Sequence, residues 1–376
     1  MSGQQGGFTR RAFVAGAAAA VAGAGSVAAL AQTGQAQAGK ARRMLRVAMI
    51  GVQGHYSYVA DGITAARDCR VVAIARSMPG EDIDKIKAGR PWLADAPVYD
   101  DYRRMLDEVR PDVVGVFMPI ARMGEACMEA AGRGCHVASE KPLASSIDEL
   151  NELRKVRDRA GVRVTAFLVM RLYPEYLAAR QAVRDGLIGE PVLVTAQKSY
   201  RWGDQRPEYY KDRKTYGGTI PWVGIHAIDM IRYVSGLEYA SVTARHAVLV
   251  HKDYPECEDC GAMLFEMCNG GQATITIDYL RPQKAPSHGD DRLRVVGSKG
   301  IVEVRTTDKV FCELIPADGP PRDLPRPAKK VSFFADFLES LRGGPPHVMS
   351  PDDPFRATEV ALKAREAADT RKTIPL

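Results

Sequence analysis

The chain has 376 residues, too many for one small core and suited to two domains of ordinary size. Its formal charge of +6 comes from 52 basic and 46 acidic residues interspersed along the sequence. That balance lacks the one-signed footprint of a nucleic-acid binder, so no nucleic-acid partner is expected.

The N-terminal segment differs from the rest. Thr9-Arg10-Arg11-Ala12-Phe13 leads into an uncharged Ala/Gly/Val-rich stretch from Val14 to Ala31, followed by Ala36-Gln37-Ala38. This pattern predicts a twin-arginine signal peptide over residues 1–38, removed after Ala38 or after Ala31. A membrane anchor is the alternative, but a run this rich in Ala and Gly partitions weakly into lipid. The expected partner is the twin-arginine export machinery, and the expected location is periplasmic or otherwise exported.

From Met44 short β-rich runs alternate with helical ones. Strands are predicted at Leu45 to Ile50, Arg70 to Ala75, Asp112 to Phe117, Cys135 to Ala138 and Val162 to Leu168. Helices are predicted at Val59 to Ala66, Asp82 to Ala88, Asp101 to Glu108, Gly124 to Arg133 and Ser146 to Ala160. The alternation predicts a parallel sheet covered on both faces, a Rossmann-type dinucleotide domain over 44–170. After Pro174 the rhythm changes. A helix from Glu175 to Asp185, a strand at Val192 to Ala196, a polar-aromatic segment from Lys198 to Tyr216 and a helix starting near His226 precede strands without intervening helices. Those strands, Ala240 to Leu249, Ala262 to Met267, Gln272 to Tyr279, Arg292 to Gly297 and Ile301 to Arg305, predict an α+β domain over 171–330 with a large, mainly antiparallel open sheet. A Pro-rich linker is expected from Ala317 to Pro327, and helices at Ser332 to Arg342 and Asp353 to Thr370, within 331–376, close the chain by packing back.

The cysteines carry little chemistry. Cys69, Cys127 and Cys135 sit in apolar contexts as core thiols, and Cys257-Glu258-Asp259-Cys260 lacks the second CxxC pair of a zinc site, so no metal is expected. A disulfide remains open, since export leads to an oxidising compartment.

The first strand ends in Gly51-Val52-Gln53-Gly54-His55. A dinucleotide turn wants G-x-G-x-x-G there; Gly51 fits, Gln53 and Tyr56 replace the later glycines, and Gly54 supplies a displaced flexible position. The second strand ends in Arg76-Ser77 instead of an acid, which favours NADP over NAD. Lys141 follows the strand ending near Ala138, at the edge where open parallel sheets bind ligands. There it could hold a substrate hydroxyl and exchange its proton, or be an ordinary surface lysine. His226 is a candidate general acid or base, or a core histidine. Asp229, one helical turn on, would share its face and orient it, or cap the helix. Gly217-Gly218 before them permits a tight turn beside a ligand. The candidate substrate-binding residues are Arg171, Lys198, Arg206, Tyr210, Trp222 and His226, with the loop His288 to Arg292 either rimming the same cleft or joining two strands.

Together, Glu140-Lys141-Pro142-Leu143, Gly217-Gly218 with Gly224-x-His226-x-x-Asp229, Val296-Gly297-Ser298-Lys299-Gly300 and Arg356-Ala357-Thr358-Glu359 resemble the glucose-fructose oxidoreductase/inositol dehydrogenase/MocA (Gfo/Idh/MocA) family. The resemblance extends from Leu45 to the C-terminus. It implies an NAD(P)-binding Rossmann domain and a second domain whose open sheet commonly forms a dimer or tetramer. It also implies hydride transfer at a carbon of a sugar, polyol or cyclitol, with Lys141 and His226 at the matched catalytic positions and Glu140 near the nicotinamide ribose. Two departures stand out: Trp222 replaces the usual catalytic aspartate, and the family's Pro-Asn-x-x-His segment reads Pro119-Ile120-Ala121-Arg122-Met123. Cofactor contacts are therefore expected from Gly51 to His55, Arg76, Ser77, Pro119, Glu140 and Lys141. An exported enzyme of this kind would retain NADP or NAD tightly. The departures keep two alternatives open: a redox-neutral NAD-dependent glycosidase or epimerase-like enzyme, and a non-catalytic sugar-binding protein with a degenerate nucleotide site.

Overall fold

Strands β1 (Leu45–Ile50), β2 (Cys69–Ala75), β3 (Val98–Tyr99), β4 (Val113–Val116), β5 (His136–Ser139) and β6 (Val164–Ala166) form one parallel sheet in the order β3-β2-β1-β4-β5-β6. The computed structural model describes residues 43–376 apart from 66–67, 204–205 and 329–330; the expected export signal lies outside the described residues. Strand β4 is buried throughout, as a central parallel strand covered on both faces must be. The covering helices are α1 (Ser57–Ala65), α2 (Asp84–Lys87), α3 (Tyr102–Val109), α4 (Ile120–Gly132) and α5 (Ile147–Ala160). Helix α5 shows why these segments are helical. Ser146 accepts the Glu149 N–H at its start, two acids occupy its first turn and two arginines its last, and Gly161 closes it in the left-handed conformation.

The second sheet has nine strands and is antiparallel except for one pair. Its members are β7 (Pro191–Tyr200), β8 (Tyr239–Ala247), β9 (Cys260–Met267), β10 (Gln272–Asp278), β11 (Gly289–Gly297), β12 (Gly300–Thr306), β13 (Val310–Pro316), β14 (Arg322–Asp323) and β15 (Ile374–Pro375), in the order β14-β13-β12-β11-β7-β10-β9-β8-β15. The exception is β7 beside β10, parallel because β7 is inserted between strands that follow it in sequence. Buried and exposed residues alternate along β9 and β10, as in a sheet with one covered face. Helices α6 (Pro174–Arg184), α7 (Arg213–Tyr216), α8 (Ile225–Ser235), α9 (Phe333–Leu341) and α10 (Asp353–Thr370) complete the fold. The expected linker is interrupted by β14, which pairs with β13 through Asp323 with Glu313 and Arg322 with Leu314.

Residues Met44–Leu376 form one unit, and helix α10 ties its two sheets together. It packs against α5, α8 and β8. Thr358 Oγ1 accepts the Leu143 N–H at 3.1 Å, while Arg365 donates to Gly217 O at 2.8 Å and Ser145 O at 3.0 Å. One helix thus fixes the segment after Lys141 and the segment before His226 in a common frame.

Candidate active site

The site lies at the carboxyl ends of the parallel strands. Gly51 follows β1 with φ 77° and Gly54 has φ 59°. A Cβ at Gly51 would lie 2.1 Å from Phe117 O, and one at Gly54 2.2 Å from Glu140 Oε1, so the turn is held against β4 and β5 in a way only glycine permits. Glu140, fully buried after β5, accepts the His55 N–H and the His55 ring Nδ1, both at 2.5 Å. Burial pushes its carboxyl upward, but the His55 ring and the Lys141 ammonium outweigh this and hold it at about 2.

Lys141 is 2% exposed, which excludes the surface-lysine alternative. Its Nζ donates to Trp222 O at 2.7 Å and lies 3.6 Å from the centroid of the Trp222 ring. Desolvation lowers this lysine to about 8, with Glu140 opposing and Lys198 reinforcing the shift. Trp222 belongs to a wide π-helical turn, Ile220–Gly224, that leads into α8. His226 follows in the first turn of α8, buried, its Nδ1 without a hydrogen-bond partner among the described residues. Its ring centroid is 6.3 Å from that of His55. Burial, then Lys141, Lys198 and His55, push it far below the ordinary histidine range, so it is neutral near pH 7. Lys198 completes the cluster from β7, its Nζ 2.6 Å from Asp291 Oδ2 on β11. The β7–β11 register places these two residues directly opposite each other. The arrangement can exchange one proton near neutral pH through Lys141 and offer a neutral imidazole nitrogen to a hydroxyl.

Residues 45–168 match the oxidoreductase family model with an NAD-binding Rossmann fold, and residues 176–303 match the model of the Gfo/Idh/MocA C-terminal domain. The chain belongs to the Gfo/Idh/MocA oxidoreductase family. A solved structure from Thermotoga maritima, provisionally named an oxidoreductase, is 38% identical, covers 88% of this chain and 100% of its own, and has a TM-score of 0.83. Inositol 2-dehydrogenase of Rhizobium meliloti is 27% identical over 75% of this chain and 80% of that one. The aldose-aldose oxidoreductase of Caulobacter crescentus, solved with glycerol, shares the fold at 24% identity, with a TM-score of 0.74 over 89% of this chain and 100% of its own.

In this Gfo/Idh/MocA protein the dinucleotide cradle survives the altered glycine pattern. The Gly51 turn is intact, Pro119 stands at the start of α4, and Ser77 Oγ is buried without a partner among the described residues. Those groups fit an NAD(P) cofactor, held from the Gly51–His55 turn to Glu140.

Several expectations change. Asp229 does not orient His226: its carboxylate accepts from Arg171 Nη2 at 2.6 Å and Nε at 2.9 Å. Arg171 in turn is buried and reaches Asp353 at 2.8 Å, so it anchors α8 and is not free for substrate. Arg76, expected beside a 2′-phosphate, is paired within the protein, donating to the exposed Asp100 Oδ1 at 3.0 Å and to Glu81 O at 3.1 Å. Arg206 is stacked on Trp202, Tyr210 and Tyr279, and Tyr210 is buried against Tyr216 and Trp222, so both shape the wall behind the site. Gly217, with φ 79°, ends α7 against Ile120 at the start of α4, and Gly218, with φ 102°, turns the chain beside Arg213 and Arg365. All seven cysteines are free thiols, and Cys257 is buried beneath the Tyr216 segment. Asp291 and Glu81 were not singled out from sequence; the first lay within the His288–Arg292 loop, while nothing marked the second. A cavity of about 970 Å³ on the open face of the nine-stranded sheet, lined by Thr195, Thr274, Arg294 and Glu303 among others, contains none of the site residues, so size does not locate the chemistry.

Proposed function

We propose that this oxidoreductase is an exported NAD(P)-dependent dehydrogenase that moves a hydride to or from a hydroxyl-bearing carbon of a sugar, polyol or cyclitol. The observation that carries this reading is the buried Lys141, held at about 8 within a cluster that includes His226, whose Nδ1 has no partner among the described residues. When bound, the nicotinamide supplies the hydride acceptor or donor. Lys141 in its neutral form accepts the hydroxyl proton during oxidation, and as an ammonium returns it during reduction. His226 hydrogen-bonds a hydroxyl and fixes which carbon faces the cofactor. Lys198, lowered by burial with Asp291 opposing the shift, suits a second hydroxyl, and its charge disfavours the ammonium form of Lys141. Relatives named as inositol, myo-inositol and glucoside dehydrogenases support a polyhydroxylated substrate.

The Arg10-Arg11 pattern supports export in the folded state with a dinucleotide already bound, and the open face of the nine-stranded sheet supports a dimer or tetramer. A retained cofactor must be regenerated in place, which favours oxidation of one sugar coupled to reduction of another, or return of the hydride to the same sugar. The test is mass spectrometry of small molecules released from protein purified without nucleotide, followed by a panel of sugars and polyols with nicotinamide absorbance as readout. One dinucleotide per chain and a substrate that changes its redox state are expected. Sugars that raise the melting temperature without ever changing that redox state would sink the dehydrogenase reading and leave a binding protein.

A further inference from the structure

The cradle at the ends of β1 and β2 already holds an anion of the protein's own. Glu81, in the loop after β2, is buried, and its carboxylate points inward. Oε1 accepts the Val52 N–H at 3.1 Å and the Gln53 Nε2 at 2.7 Å, and Oε2 accepts the Ser77 N–H at 2.6 Å. Val52 and Gln53 belong to the glycine turn and Ser77 to the end of β2. The carboxylate therefore bridges the two strand ends between which the adenosine ribose of a dinucleotide lies in this fold. We infer that Glu81 makes the site selective for NAD over NADP, an inference that rests on the dinucleotide reading above.

The donor count decides which ribose fits. Each carboxylate oxygen offers about two acceptor positions, so Oε1 is filled and Oε2 retains one. A ribose 2′-hydroxyl is a donor and can take that position, with the unpartnered Ser77 Oγ beside it as a further polar group. A 2′-phosphate only accepts. It would meet a buried carboxylate, and the two backbone N–H groups it needs are occupied. Both nearby cations already have partners: Arg76 serves Asp100 and the Glu81 carbonyl, and Arg122 donates to the Ser77 carbonyl at 2.6 Å, so a 2′-phosphate would have to draw one of them away. Glu81 thus performs the task usually given to an acid at the strand end itself, from a position further along the loop.

The experiment is equilibrium binding of NADH and NADPH, read by nicotinamide fluorescence, on the full chain stripped of any retained nucleotide. NADH is expected to bind about tenfold tighter or more. Glu81→Gln removes the charge and should bring the two affinities together, mainly by tightening NADPH, whereas Arg76→Ala should leave the NADH preference in place. Wild-type protein that binds NADPH as well as NADH overturns the inference whether or not any variant folds. So does a Glu81→Gln variant in which both affinities rise equally, because the carboxylate would then be only a plug. Binding of neither nucleotide removes the dinucleotide reading itself, and the selectivity with it.

Discussion

Two buried charge clusters meet at α8, one through Asp229 and one through His226, and are built on opposite rules. In the first, Arg171 is shared between Asp229 and Asp353 through three hydrogen bonds, every one 2.9 Å or shorter. Burial lowers the arginine, but the two carboxylates more than reverse this and raise it. In the second, Lys141 has one neighbouring carboxylate, already engaged by His55, one carbonyl, and a second lysine within electrostatic reach. The first cluster is saturated and holds the fold. The second is left short of partners, and the shortage is what brings a lysine down to about 8.

The largest expected effect separates the clusters directly. Lys141→Met should lower kcat by about 10²- to 10⁴-fold, a loss far larger than its effect on unfolding, because it removes the proton carrier while Glu140 keeps its His55 partner. A variant with undiminished turnover would take the lysine out of the mechanism. Asp229→Ala should do the reverse. It strands part of the Arg171 charge and should cost about 3–5 kcal/mol of unfolding free energy by denaturant titration, with a much smaller loss of kcat per folded molecule. If Asp229→Ala abolished turnover at unchanged stability, the assignment of Asp229 to the structural cluster would be wrong.

Most of the fold was legible because its signals are local. The β1 run of apolar residues, the alternation along β9 and β10 and the capped ends of α5 depend on neighbours in sequence, and the structure places them where periodicity does. Lys141 and His226 were legible through motifs attached to those elements. What was not legible depends on how distant segments fold back. Asp229 shares a helix with His226, but α8 is buried nearly all round, so a carboxylate one turn away can meet an arginine from another layer instead. Lys198 meets Asp291 only through the β7–β11 register, and Glu81 reaches the glycine turn only because its loop returns to the sheet.

The pH dependence follows from the under-partnered lysine. Oxidation needs neutral Lys141, so its rate should rise about tenfold per pH unit below about 8 and level off above it; the reductive direction should fall through the same region. His226→Gln should lose about ten- to a hundredfold in kcat/KM through one lost hydrogen bond to substrate. It should nevertheless keep the transition near pH 8, because His226 is neutral on both sides of it. Disappearance of that transition in the His226 variant would transfer the proton step to the histidine.

The smallest effect tests the residue that sets Lys141 apart from the saturated cluster. Trp222 stands where the family resemblance puts an aspartate, and it meets Lys141 with a ring face and a carbonyl but no negative charge. Trp222→Asp would give the lysine a second carboxylate, which favours its ammonium form. The midpoint of the oxidative pH profile should then move upward by about one unit, equivalent to about 1.4 kcal/mol. Oxidation at neutral pH should slow, since less of the lysine would be neutral there. A midpoint that stays near 8, or moves down, would mean that a charge at position 222 does not govern the Lys141 proton affinity and that tryptophan at this position serves only to shape the pocket.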